Sequence, residues 1–149
     1  MSLCIAAGAA ALTLATQSFT LAWTHSVEKT EWREHWEVTA EGLDLTEARI
    51  KGSGAGMEPP ADAVLKDGWY VYRPDVPPLA ALRLAVSGAT GEGWRLCADG
   101  DCTVLDDLLA GAAAGAAAGA AAGAAGVAAG GAARSGPYGE IVLSACARP

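Results

Sequence analysis

The densest chemistry in the 149-residue sequence lies between Phe19 and Val38, FTLAWTHSVEKTEWREHWEV, with three of the five tryptophans, both histidines and glutamates at 28, 31, 34 and 37. A histidine beside a serine suggests a base and its nucleophile, and a histidine among carboxylates suggests an acid-base pair or a metal ligand. Alternation argues against the first. Phe19, Leu21, Trp23, His25 and Val27 occupy odd positions, while Thr20, Ala22, Thr24, Ser26 and Glu28 occupy even ones, the period of a strand with one apolar and one mostly polar face. Adjacent strand residues point to opposite faces, so without a bulge His25 cannot activate Ser26. His25 therefore reads as a core histidine hydrogen-bonded to Glu34 or to a carbonyl. The opposite face, with Ser26, Glu28, Glu31, Arg33 and His35, offers a surface for a cation or a polar ligand, although most such faces are simply solvated.

Two further clusters carry chemical potential. In Cys97-Ala98-Asp99-Gly100-Asp101-Cys102 the Asp-Gly pair is a preferred two-residue hairpin turn, which puts Cys97 opposite Cys102 at a spacing that permits a disulfide. Cys4 and Cys146 belong to the first and last strands and can bridge if those strands are neighbours. The alternative is four reduced thiols. A four-cysteine zinc site lacks the usual C-x-x-C knuckles, and no metal or cofactor is expected. Gly54-Ala55-Gly56, with Glu58 alongside, could present backbone N–H groups to a carboxylate or phosphate, but a glycine-dependent bend is the simpler account. Neither glycine-rich stretch matches a dinucleotide fingerprint or a P-loop.

The elements that must hold these residues read as short strands. Leu3 to Ala7, Leu12 to Ala15 and the stretch from Phe19 lead into a fourth run, Thr30 to Thr39. There the three-residue spacing of the glutamates suggests a helix, but Trp32, Glu34, Trp36 and Val38 fit one strand face better. Only a loop with an even number of residues lets the apolar faces of these two strands coincide, and a loop centred on Glu28-Lys29 pairs His25 with Trp32 and Trp23 with Glu34. Glu34 then becomes a diagonal neighbour of His25. Leu43, Leu45 and, less regularly, Ala48 and Ile50 continue the pattern after a turn ending in Gly42. Strands at Trp69 to Arg73 and Leu82 to Val86, a hairpin from Trp94 to Leu105 and a last strand from Ile141 to Ala145 follow. The fold expected is all-β, a small antiparallel sandwich or barrel of one domain across residues 1–149. Residues 108–136 interrupt it with an Ala/Gly-rich insert, glycines recurring every fourth position, read as an expanded, partly helical linker or, in a sharper alternative, as a small-residue packing stripe.

Net charge is −7 and the isoelectric point about 4.7. The whole chain thus has no basic footprint for nucleic acid or anionic lipid. The uncharged tract from Met1 to Trp23 lacks the basic start of a signal peptide and is too poor in large aliphatic residues for a convincing membrane helix, so strand is expected there as well.

Four segments, Trp23 to Trp36 (W-T-H-S-V-E-K-T-E-W-R-E-x-W), Lys51 to Pro60 (K-G-S-G-A-G-M-E-P-P), Asp67 to Pro74 (D-G-W-Y-V-Y-R-P) and Ser87 to Cys97 (S-G-A-T-G-x-G-W-x-L-C), together resemble one bacterial family, the domain of unknown function numbered eighteen-fifty. The resemblance runs from about Leu3 to Cys102 and resumes at the last strand. It implies a setting, because relatives are often encoded beside TRAP transporters of the TAXI class, in which an extracytoplasmic solute receptor serves a membrane permease. The expectation is a non-enzymatic accessory or binding protein of such an uptake system, with a transporter subunit or its receptor as partner. Its location would be extracytoplasmic or at the membrane. The interaction surface is expected around His25, Ser26, Glu28 and Glu34 with the Gly54, Gly56 and Glu58 turn. Two other classes stand beside it: an acid-base or metal-dependent enzyme using His25, Glu28 and Glu34, and a structural domain tethered by its uncharged N-terminal tract.

Overall fold

The computed structural model describes residues 1–24, 30–52, 59–86, 93–119 (backbone alone for 114–119) and 139–148. Eleven strands and one helix follow in order: β1 (Ser2–Ala7), β2 (Ala10–Leu14), β3 (Ser18–Thr24), β4 (Glu31–Thr39), β5 (Gly42–Lys51), β6 (Val64–Lys66), β7 (Trp69–Tyr72), β8 (Leu82–Ala85), β9 (Arg95–Ala98), β10 (Asp101–Val104), α1 (Leu105–Gly119) and β11 (Glu140–Cys146). They form a four-stranded sheet, β2-β1-β11-β8, and a seven-stranded sheet, β10-β9-β3-β4-β5-β7-β6. Among the described residues each sheet keeps two open edges, so the architecture is a sandwich and not a barrel. The core lies between them: Leu3, Ile5, Leu84, Ile141 and Leu143 from the small sheet meet Phe19, Leu21, Trp36, Val38, Leu43, Leu45 and Leu96 from the large one. Period-two alternation supplies both inner faces. The uncharged N-terminal tract is therefore spent on β1, β2 and most of β3. Among the described residues no helix is long and apolar enough to cross a membrane.

The β3–β4 register differs from expectation by two residues. Trp23 lies opposite Trp32, Leu21 opposite Glu34 and Phe19 opposite Trp36. The faces are as expected, but the partner of Trp32 is Trp23, and Trp23 takes the position diagonal to Glu34; His25 lies outside the described residues. The slip matches aromatic to aromatic: Phe19 and Trp36 stack with ring centroids 6.4 Å apart, and Trp23 and Trp32 at 5.9 Å. Such pairs add about 0.5–1.5 kcal/mol each beyond burial, which a Trp-Glu pairing would forgo.

In β5 the inward set changes from odd (Leu43, Leu45) to even (Ala48, Ile50) positions, and a bulge between them accounts for the change. His35 opposes Glu47 whereas Trp36 opposes Leu45, leaving Thr46 as the extra residue, its hydroxyl donating to the His35 carbonyl at 3.2 Å. Gly42, which opens β5, has φ +132°. Added there, a Cβ would overlap the carbonyl oxygen of Leu79, whose backbone exchanges two 2.8 Å hydrogen bonds with Leu43. Only glycine permits that approach.

Two elements depart from the sequence expectation. The short strand β6 pairs with β7 across a turn in which Asp67 and Gly68 both have positive φ; its three exposed residues carry no alternation to betray it. The hairpin at β9 and β10 ends at Val104, and Leu105 begins a helix that runs through the first part of the expected linker. Leu105 and Leu109, one turn apart, are fully buried, and the Leu105 N–H donates to the Trp94 carbonyl at 2.8 Å. Asp106 and Asp107 complement the positive end of the helix. Tertiary burial of that leucine stripe outweighs the weak propensity of the Ala/Gly sequence behind it.

Candidate functional site

The outer face of the seven-stranded sheet collects the polar chemistry. Strand alternation turns Arg33 and Glu31 of β4, Arg49, Glu47 and Lys51 of β5 and Arg95 of β9 outward, and the register lines them up. Arg95, Ala22, Arg33 and Arg49 stand side by side across four strands. Glu31 is shared: its Oε1 accepts from Arg33 Nη2 at 3.1 Å and from Arg95 Nη2 at 3.0 Å. Arg49 donates to Glu47. The Arg33 guanidinium lies 4.7 Å from the centre of the Trp69 ring, and Lys51 Nζ 5.6 Å from the same ring. With Lys66, paired to Trp69 on β6, this half of the face gathers, among the described residues, five cations against two carboxylates. The acidity of the whole chain concealed it.

One row further along, Cys102, Cys97, Thr20, His35 and Glu47 are register neighbours across five strands. Thr20 Oγ1 and His35 Nδ1 are hydrogen-bonded at 3.1 Å. Thr20, His35, Cys97, Asp99 and Gly100 line an open groove of about 220 Å³. The hairpin beside it folds as its Asp-Gly pair dictates, with φ of 52° at Asp99 and 91° at Gly100. Cys97 and Cys102 form a disulfide with Cα atoms 4.0 Å apart. Cys4 and Cys146 form the second, Cα atoms 5.9 Å apart, because β1 and β11 are neighbours. Chain entropy makes the two bridges unequal: the five-residue separation implies stabilisation of about 2 kcal/mol and the 142-residue one about 5 kcal/mol.

Of the residues expected at the site, Glu34 faces the core. It sits on the inner face between Leu21 and Ala48, and Trp36 Nε1 donates to its Oε2 at 3.2 Å. Burial pushes its carboxyl above the ordinary carboxylate range, against the opposing pull of that hydrogen bond. The row continues to Tyr72 on β7, whose phenol is raised by burial first and then by the charges of Glu34 and Asp62. Glu34 thus turns away from Glu31 and Arg33, its neighbours on the polar side. His25, Ser26, Glu28, Gly54, Gly56 and Glu58 lie outside the described residues. Among the described residues no group of three or more His, Cys, Asp or Glu side chains gathers as a metal site.

The arginine row and the Thr20–His35 groove were not anticipated. Arg33, Arg49 and Arg95 each occupy outward positions in the sequence pattern, but nothing local says that β9 lies beside β3. That neighbour relation creates the row.

Two open antiparallel sheets, a polar outer face and two disulfides define a cross-linked β-sandwich domain. The chain belongs to the family described as a domain of unknown function (DUF1850), whose model matches residues 19–105. The match takes in every strand of the large sheet, and β8 as well, while β1, β2 and β11 fall outside it. No curated protein and no solved structure matches the chain.

Proposed function

We propose that this domain is a non-enzymatic accessory module of a TAXI-class TRAP solute uptake system, working on the outer side of the membrane and docking through the outer face of its seven-stranded sheet. The observation that carries the binding half is the Arg95–Arg33–Arg49 row with Lys51, Lys66 and Trp69, an outward-facing strip on an acidic chain in which, among the described residues, cations outnumber the carboxylates Glu31 and Glu47. Such a strip steers association with an acidic surface and rejects basic ones. Two disulfides support an oxidising compartment. The transporter assignment rests on the setting that the family resemblance implies.

The test is co-purification of the tagged, folded domain with each transporter subunit and the solute receptor in mild detergent. Arg33→Glu with Arg49→Glu should abolish retention that the parent shows, and added salt should weaken it. Because the reversal also sets like charges beside Glu31 and Glu47, circular dichroism and thermal unfolding of the variant check that it probes binding and not folding. If the folded parent retains no transporter component, the partner assignment falls.

A further inference from the structure

We propose that Cys97–Cys102 is a thiol–disulfide exchange site, open to a small thiol at the exposed edge strand β10, while Cys4–Cys146 is a structural staple. This inference is independent of the transporter reading. Three observations carry it. First, Cys102 is exposed on an outermost strand of the large sheet, whereas Cys97 is half-buried against β3 and the groove. An incoming thiolate therefore reaches one sulfur and leaves the other as the departing group. Second, the bridge closes a loop of only five residues, so it removes little entropy from the unfolded chain and its opening costs the fold less than opening the 142-residue closure of its counterpart. Third, the hairpin does not need the bridge to hold its register. Asp99 and Gly100 form the turn, four residue pairs from Asp101–Ala98 to Val104–Arg95 zip the strands, and β9 is hydrogen-bonded to β3. The two sulfurs stay opposed after opening, which lets the bridge re-form without refolding.

The step balances without a cofactor. A thiolate attacks Cys102 Sγ, forming a mixed disulfide there and breaking the Cys97–Cys102 bond, whose electron pair stays on Cys97 Sγ. A second thiolate attacks the sulfur of the bound small molecule, forming a small disulfide and releasing Cys102 as thiolate. The two protons lost by the thiols pass to Cys97 and Cys102. Net, the protein disulfide is reduced to a dithiol and two small thiols are oxidised to one disulfide.

Native protein titrated with glutathione, quenched by alkylation and mapped by peptide mass, tests it. Cys97 and Cys102 should be labelled at a thiol concentration at least about tenfold below that which opens Cys4–Cys146, with near-ultraviolet circular dichroism unchanged, and acid-trapped mixed disulfide should sit on Cys102. A Cys97→Ser variant exposed to glutathione disulfide should take up one glutathione at Cys102. The proposal is overturned if both bridges open together, if Cys97–Cys102 opens only as the tertiary signal is lost, or if Cys102 of the folded variant fails to react.

Discussion

Glu34 is a carboxyl on a surface otherwise made of Phe19, Leu21, Trp36 and Leu45, and it is tolerated because Trp36 offers its indole N–H. The carboxyl's pKa in the fold is raised above 4.5 by desolvation. Below that value Glu34 is protonated in both folded and unfolded chains and costs nothing; as pH rises through the raised value the folded chain must ionise a buried group, and stability falls. In Glu34→Gln the amide oxygen still accepts from Trp36, so the variant should lose this decline. The difference in urea midpoint between variant and parent should grow as pH increases from about 4 to about 8; a constant difference would show that Glu34 is not desolvated. The residue's type and inward parity were readable in the alternation of β4. Its partner was not, since Trp36 is two residues along the same strand and the choice between Trp36 and His25 depended on the β3–β4 register.

At the scale of elements, α1 shows how little of a helix's stability is its own. Its glycines weaken it, yet Leu105 and Leu109 close one end of the sandwich. Leu109→Ala should cost about 2–5 kcal/mol in chemical denaturation, the range for a fully buried leucine. Gly111→Ala should do the reverse: an added Cβ meets nothing within 4 Å, and the exchange favours helix by up to about 1 kcal/mol. If Leu109→Ala cost no more than an exposed helix substitution, the docking of α1 would be wrong. β5 teaches the complementary lesson. Its switch from odd to even inward positions was visible as an irregularity, and a bulge at Thr46 is the one-residue insertion that resolves it.

For the molecule as a whole, the two bridges should separate by their place in the topology. Replacing Cys4 and Cys146 together by serine should lower stability by up to about 5 kcal/mol, and replacing Cys97 and Cys102 by up to about 2 kcal/mol, because the first pair constrains almost the entire unfolded chain. Guanidinium unfolding of the two double variants gives the comparison, and equal losses would contradict it. The same topology explains why the family match alone does not make the sandwich: residues 19–105 contain the large sheet, but of the small sheet only β8. The cover for Phe19, Leu21 and Trp36 comes from strands outside it.

What the sequence determined by itself was local: period-two alternation made the chain all-β and divided each strand into an inner and an outer face, and Asp-Gly between two cysteines specified a closed hairpin. These follow from backbone geometry within a few residues. Tertiary structure alone decided which strands became neighbours and in which register. A two-residue slip leaves every side chain on its face, so alternation could not distinguish Trp23 opposite Trp32 from Trp23 opposite Glu34; aromatic packing in the shared core did. The placement of β9 beside β3, which builds the arginine row, and of β11 beside β1, which brings Cys4 to Cys146, likewise reflects burial between segments distant in the chain.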